Sequence, residues 1–223
     1  MEEKNIDYEK LYNMVIKDIP ISKSDFVYGI CFVGGPGVGK STVAKLLSKR
    51  LNVYVTANDK IRRMLDSLGI DSSNNQPLVE KLAYDRTRYM LENNTSMIID
   101  ANFLTAYKSV EENFGKFNAK CLFVKLECSE KEILRRLDYR EEQFGKDKEN
   151  FSRATRRDYE IYLEKLKSNI FPEEKVFFII DTEKDLDAQL NSLVEKIQNY
   201  IDNRKKNVQN NKKLNKTHLY EDR

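Results

Sequence analysis

The chain has 223 residues, with 39 Lys and Arg against 36 Asp and Glu and a net charge of +3. This length suits one medium domain with a real core, and the near-balance of charge excludes a chain-wide electrostatic footprint for nucleic acid. Hydrophobic residues make up 40% and charged residues 34%, and no apolar run approaches the roughly 18–20 residues of a membrane span. The first residues, Met1-Glu2-Glu3-Lys4-Asn5, are polar and lack the basic-then-apolar pattern of a signal peptide, so no membrane partner and a cytoplasmic location are expected. The single histidine, His218, lies in the polar tail, which removes histidine triads, bases and zinc sites from the body of the chain. Cys31, Cys121 and Cys128 sit in apolar runs without CxxC spacing and are expected as buried reduced thiols.

Tyr8, Leu11, Tyr12, Val15, Ile16 and Ile19 repeat at helical spacing, predicting a helix over 7–18 that Pro20 ends. Val27–Val33 reads as a strand, Lys40–Leu51 as a helix, Val53–Thr56 as a strand and Asp59–Leu68 as a helix. Residues 69–77 are a Gly, Ser and Asn loop, and Pro77 suits the first turn of a helix running to Glu92. Met97–Asp100 is a strand, 104–116 a helix and Cys121–Glu127 a strand. Ser129 can cap a helix to Arg140, with Glu132 as its capping-box partner. Residues 141–152 are charged and aperiodic, Arg153–Asn169 is helical, Val176–Asp181 is a strand and Asp185–Asn203 is the last helix. Its face of Leu186, Leu190, Leu193, Ile197 and Ile201 reads as core. Strands that are continuous apolar runs alternating with helices predict a buried parallel sheet with helices on both faces. The Asn- and Lys-rich stretch 204–223 carries the whole basic excess and is expected to be disordered.

The strongest chemical signal is Gly34-Gly35-Pro36-Gly37-Val38-Gly39-Lys40-Ser41-Thr42, a GxxxxGK[ST] match between a strand and a helix. Glycines let a loop turn its N–H groups inward around a phosphate, and a helix start adds unpaired donors and partial positive charge. Lys40 supplies a cation for β- and γ-phosphates and Ser41 a hydroxyl for Mg²⁺. Gly35, Pro36, Gly37, Val38, Gly39, Lys40, Ser41 and Thr42 are the candidate nucleotide-binding residues. Asp100, closing an apolar strand, is the candidate for the metal's carboxylate, the alternative being a turn cap. Ala101 follows it where many hydrolysing ATPases carry Glu, which favours a transferase over a motor.

Asp59 stands where strand passes into helix, with Arg62 one turn on. A carboxylate there could take the proton of an acceptor hydroxyl while the guanidinium holds an anion, or Asp59 could simply cap the helix. Arg136 and Arg140 stack four residues apart, and Arg153, Arg156 and Arg157 open the next helix, where positive charge opposes the helix dipole. An anion arriving between these two helix ends would relieve both, as a closing lid in phosphoryl transfer requires. The competing reading is solvated arginines paired with Glu141, Glu142, Glu149 and Glu160. Tyr139, Phe144, Tyr159 and Tyr162 could stack a base, but packing is their commoner use.

The order of these pieces resembles the P-loop kinase group that includes polynucleotide 5′-hydroxyl kinases, zeta-toxin-like kinases and many small predicted-kinase ATP-binding proteins. The resemblance covers about residues 27–181. It implies a three-layer αβα P-loop NTPase fold with a five-stranded parallel sheet of order 2-3-1-4-5 and an arginine-bearing lid at about 136–157. The expected division is a kinase domain over 27–203 between an N-terminal helix and linker (1–26) and the tail (204–223), and neither flanking piece has a counterpart in that group. By this resemblance Asp59 is the catalytic acid that activates the acceptor hydroxyl, and Arg62 and Asn102 contact the acceptor. Ser41 and Asp100 hold the metal, and Lys40, Arg136 and Arg140 act on the phosphates. ATP and Mg²⁺ are the expected cofactors. The partner is a hydroxyl-bearing acceptor: a small molecule, a nucleotide or sugar nucleotide, or a nucleic-acid 5′ end, the last weighed down by the near-neutral core. The rival classes are an ATP-dependent switch acting on a partner and a non-catalytic ATP-binding module.

Overall fold

A computed structural model describes the backbone of residues 7–143 and 154–221, with side chains as far as Lys206. In chain order the elements are α1 (Tyr8–Ile16), β1 (Tyr28–Val33), α2 (Lys40–Leu51), β2 (Tyr54–Ala57), α3 (Asn58–Ser67), α4 (Gln76–Glu92), β3 (Met97–Asn102), α5 (Tyr107–Gly115), β4 (Lys120–Glu127), α6 (Glu130–Gln143), α7 (Arg156–Ser168), β5 (Val176–Asp181) and α8 (Leu186–Glu221). The five strands form one sheet of order β2-β3-β1-β4-β5, and every neighbouring pair is parallel.

All six residues of β1 are buried, as the central strand of a sheet covered on both faces requires. Its side chains alternate between two cores. Ile30 and Phe32 join Ala44 and Leu47 of α2 and Leu190, Leu193 and Ile197 of α8. Cys31 and Val33 join Met90 and Leu91 of α4 and Phe114 of α5. The helices thus form the outer layers of a three-layer αβα fold. Leu11 of α1 packs with Ile61 and Leu65 of α3 and Val79 and Leu82 of α4, so the N-terminal helix buttresses the α3–α4 pair.

The fold departs from the sequence expectation at β3, at the last helix and at the cysteines. β3 runs two residues past Asp100, because its register against β1 jumps from Cys31 opposite Ile99 to Phe32 opposite Asn102. This bulge re-aims the strand end, as bulges beside functional sites do. The last helix continues to Glu221 instead of ending at Asn203. The stretch expected to be disordered contains no Gly or Pro after Pro172 to stop a helix. Of the three cysteines only Cys31 is buried, while Cys121 and Cys128 are half-buried, and all three are free thiols. Among the described residues no helix is long and apolar enough to cross a membrane.

Candidate active site

The carboxyl ends of β1, β3 and β2 bring three segments together, and a cavity of about 200 Å³ opens between them. Pro36, Gly37, Gly39, Lys40 and Ser41 of the glycine-rich loop line one wall, Asp100 and Ala101 the floor, and Asn58, Asp59 and Arg62 the opposite wall. Arg140 and Ala154 complete its lining. Gly37 and Gly39 have φ of 78° and 107°, a region that side chains with a Cβ avoid. Gly39 is the N-cap of α2 and gives it no side-chain cap bond, so the first-turn N–H groups remain donors for an incoming anion.

Lys40 Nζ donates to the carbonyls of Gly34 (2.9 Å) and Gly35 (2.7 Å). Burial pushes its ammonium down to about 8, and the nearby Arg140 adds to this, while Asp100 and Asp59 push it back up. Burial raises the Asp100 carboxyl, opposed by a hydrogen bond from the Ser41 hydroxyl and by the charge of Lys40. The two groups expected at the metal therefore already face one another. Among the described residues no cluster of three His, Cys, Asp or Glu side chains forms a metal cage. A nucleotide-borne Mg²⁺ needs none, since it takes one or two protein oxygens and fills its sphere with phosphate and water. The donor set of one hydroxyl and one carboxylate fits.

On the opposite wall Arg62 bonds Asp59 at 3.2 Å and the Gln76 amide oxygen at 2.9 Å. Asp59 does not cap α3: the N-cap is Ala57, and no side-chain cap bond forms. Its carboxylate is left in the cavity with Arg62. Asn102 does not line this cavity but a neighbouring one, beside Ala101 and Phe103. Its side-chain oxygen accepts from the N–H groups of Gly34 (3.3 Å) and Leu104 (3.2 Å), pinning the glycine-rich loop to β3.

The two arginines expected in a lid part company. Arg140 lines the cavity, its guanidinium lowered first by burial and then by Arg136. Arg136 lies behind the loop: it bonds Glu132 (2.8 Å), the carbonyls of Gly37 (3.4 Å) and Val38 (3.3 Å), and Thr182 through both hydroxyl (3.0 Å) and carbonyl (3.1 Å). The expected capping box explains the change. Ser129 Oγ still accepts from the Glu132 N–H, but Glu183 takes the Ser129 N–H. Glu132 is thus released to Arg135 and Arg136, which hold its carboxyl down at about 2. Arg156 pairs with Asp138 and so ties α7 to α6. Arg157 does not line the cavity, and Arg153, Phe144 and Glu149 lie outside the described residues. α7 starts three residues later than expected because Thr155 and Asp158 form a capping box.

Of the remaining loop residues, Gly35 and Val38 line a separate cavity with Ile133, Tyr159 and Tyr162, and Thr42 is exposed. Tyr159 and Tyr162 stack on one another at 6.4 Å and serve packing, whereas Tyr139 is exposed. A Cβ on Gly35 would stand 2.6 Å from the Tyr162 ring. Gly35→Ala should therefore destabilise the fold by about 1–3 kcal/mol, read as a fall of several degrees in the thermal midpoint. An unchanged midpoint would mean α7 does not rest on this loop.

Sequence reasoning missed Arg86. It is only 3% exposed and donates to the Ala57 carbonyl at 3.1 Å. The available signal was its place in the series Val79, Leu82, Arg86 and Met90, where helical spacing calls for an apolar residue.

Similar folds occur among solved structures. A provisionally assigned kinase from Chloroflexus aurantiacus j-10-fl superimposes with a TM-score of 0.58 at 17% identity, covering 78% of this chain and 99% of its own. APS kinase CysC of Mycobacterium tuberculosis, in complex with AMPPNP and APS, gives 0.52 at 16% identity over 78% and 99%. A gluconokinase from Sinorhizobium meliloti 1021 gives 0.50 at 14% identity over 82% and 97%. At these identities the likeness establishes the fold. No curated protein matches the chain. The model of one family, described as AAA domain (AAA_33), matches residues 30–166, and the chain belongs to that family.

Proposed function

We propose that the protein is an ATP- and Mg²⁺-dependent phosphotransferase acting on a hydroxyl acceptor. The observation that carries this reading is the single cavity in which Lys40, Ser41 and Asp100 face Asp59, Arg62 and Arg140. A switch or a passive nucleotide-binding module has no use for an acidic residue and an arginine on the wall opposite the phosphate loop. The narrower likeness to polynucleotide and zeta-toxin-like kinases rests on motif order alone.

In this reading the loop N–H groups and Lys40 hold the β- and γ-phosphates. Ser41 and Asp100 would hold Mg²⁺, which would neutralise charge across those phosphates. Asp59 orients the acceptor hydroxyl and takes its proton. The hydroxyl oxygen bonds to the γ-phosphorus as the bond to the bridging oxygen breaks, and ADP leaves. Arg62 anchors the acceptor, and Arg140 faces the transferring group. Arg136 acts at one remove, as a positioning residue that fixes the loop carbonyls against Thr182. Most of the rate enhancement comes from positioning and charge neutralisation.

The Lys40 ammonium carries a pH signature. Phosphate binding favours its charged form, so a group at about 8 in the free protein takes up a proton when Mg·ATP binds near that pH. Affinity should be level below pH 8 and fall by up to tenfold per unit above it. Calorimetry in buffers of different ionisation enthalpy should show net proton uptake at pH 8, and none in Lys40→Met.

The decisive experiment is an acceptor screen with γ-labelled ATP over sugars, sugar acids, nucleosides, sugar nucleotides, aminoglycosides and 5′-hydroxyl oligonucleotides. Labelling of one acceptor class supports the proposal. Acceptor-independent hydrolysis stimulated by a protein partner would replace it with a switch, and tight ATP binding without any turnover with a binding module.

A further inference from the structure

Next to the phosphate cavity lies a larger one of about 560 Å³ between α4, α5 and the end of β3. Asn58 and Ala101 line both, so the two are contiguous at the wall that carries Asp59. Its volume falls in the usual range for a small-molecule site. Tyr84 of α4 bridges to Asn113 of α5 at 3.2 Å and narrows it from the side. Phe103 supplies apolar surface, and Glu80, bonded to the Gln76 amide at 2.8 Å, is the carboxylate among its lining residues.

Arg86 also lines this cavity. A buried guanidinium ordinarily has a carboxylate partner. Among the described residues Arg86 has none: Nη1 bonds the Ala57 carbonyl, Nε is buried without a partner, and no other bond of its side chain is present. Burial pushes its guanidinium down to about 10, the mark of a cation short of compensating charge. The Ala57 carbonyl that holds Arg86 is two residues from Asp59, at most about 7 Å of chain. An anion at Arg86 and a hydroxyl at Asp59 are thus within the span of one small molecule.

We infer that the acceptor is a small hydroxylated compound bearing a carboxylate, phosphate or sulfate, whose anionic group docks on Arg86 while its hydroxyl faces Asp59. This rests on the phosphotransferase reading for the hydroxyl end, and on Arg86 and the cavity for the anionic end. Glu80, nearer Gln76 and Arg62, offers an acceptor to further hydroxyls of the ligand. A cavity of this volume favours a small molecule over the end of a polynucleotide.

The test uses the full chain loaded with Mg·ADP. Glycerate, gluconate, glucose 6-phosphate and adenosine 5′-monophosphate are each titrated beside the uncharged parent, by calorimetry and thermal shift. At least one charged probe should bind tenfold or more tightly than its parent. That preference should vanish in Arg86→Gln and weaken three- to tenfold in Arg86→Lys, which keeps a cation but loses the parallel donors. No preference for any charged probe, a preference that survives Arg86→Gln, or undiminished affinity in Arg86→Lys overturns the inference. The lysine variant decides the matter if the glutamine variant does not fold. The same probes are then offered to γ-labelled ATP. Transfer without charge preference, or preferential transfer to a 5′-hydroxyl oligonucleotide, overturns the inference and leaves the phosphotransferase standing. Arg86-dependent binding without transfer to any acceptor retains the anion site and rejects the phosphotransferase.

Discussion

Lys40→Met should lower kcat/KM for phosphoryl transfer by about 10³-fold, roughly 4 kcal/mol of transition-state stabilisation, while leaving the thermal midpoint close to wild type. The ammonium is held between the Gly34 and Gly35 carbonyls at 2.9 and 2.7 Å, and Lys40 lines the cavity. No other ammonium lines that cavity among the described residues, so nothing replaces it on the phosphates. Methionine has nearly the same length and removes a desolvated charge. The loss of two carbonyl bonds and the relief of burying a cation oppose one another, which is why stability should change little. Steady-state kinetics with the acceptor found in the screen, beside a thermal melt, measures both. Activity within tenfold of wild type would mean the glycine-rich loop does not hold the reacting phosphates.

How far the site could be read in the sequence follows from how local each interaction is. The phosphate loop was legible because its chemistry is contiguous from Gly34 to Ser41 and bracketed by an apolar strand and a helix. The strands were legible because a sheet covered on both faces demands unbroken apolar runs, as at Tyr28–Val33. Asp59 and Arg62 were legible as a pair one turn apart, and they meet at 3.2 Å. The strand order came through motif resemblance, since periodicity alone does not rank parallel strands. What escaped depends on distant partners. Glu132 looked like the capping residue for Ser129 until Glu183, 54 residues away, took that N–H. Arg136 then followed Glu132 to the back of the loop, and Arg140 alone of the pair reached the cavity. The bulge that places Asp100 and Asn102 arises from register between β1 and β3, which no single strand encodes.

Asp59→Asn should cut kcat for transfer by 10²- to 10⁴-fold, the usual contribution of a positioned general base, with KM for ATP unchanged or lower. The sign for ATP follows from charge. Asp59 is one of the two carboxylates whose field reaches Lys40, so its neutralisation removes repulsion against an incoming triphosphate. Asparagine keeps the shape, and an oxygen that can still accept from Arg62. The Asp59–Arg62 pair is also partly exposed, at 38% and 28% of their side-chain surface. A pair so exposed contributes at most about 1 kcal/mol, so the variant should fold. The comparison that isolates the base is Arg62→Met. Removing the acceptor anchor should raise KM for the acceptor more than it lowers kcat, whereas Asp59→Asn should do the reverse. If both variants instead shift KM for the acceptor and leave kcat within tenfold, Asp59 orients the acceptor through Arg62 and takes no proton. The acceptor hydroxyl would then lose its proton after the γ-phosphoryl group is transferred, as a largely dissociative transition state permits.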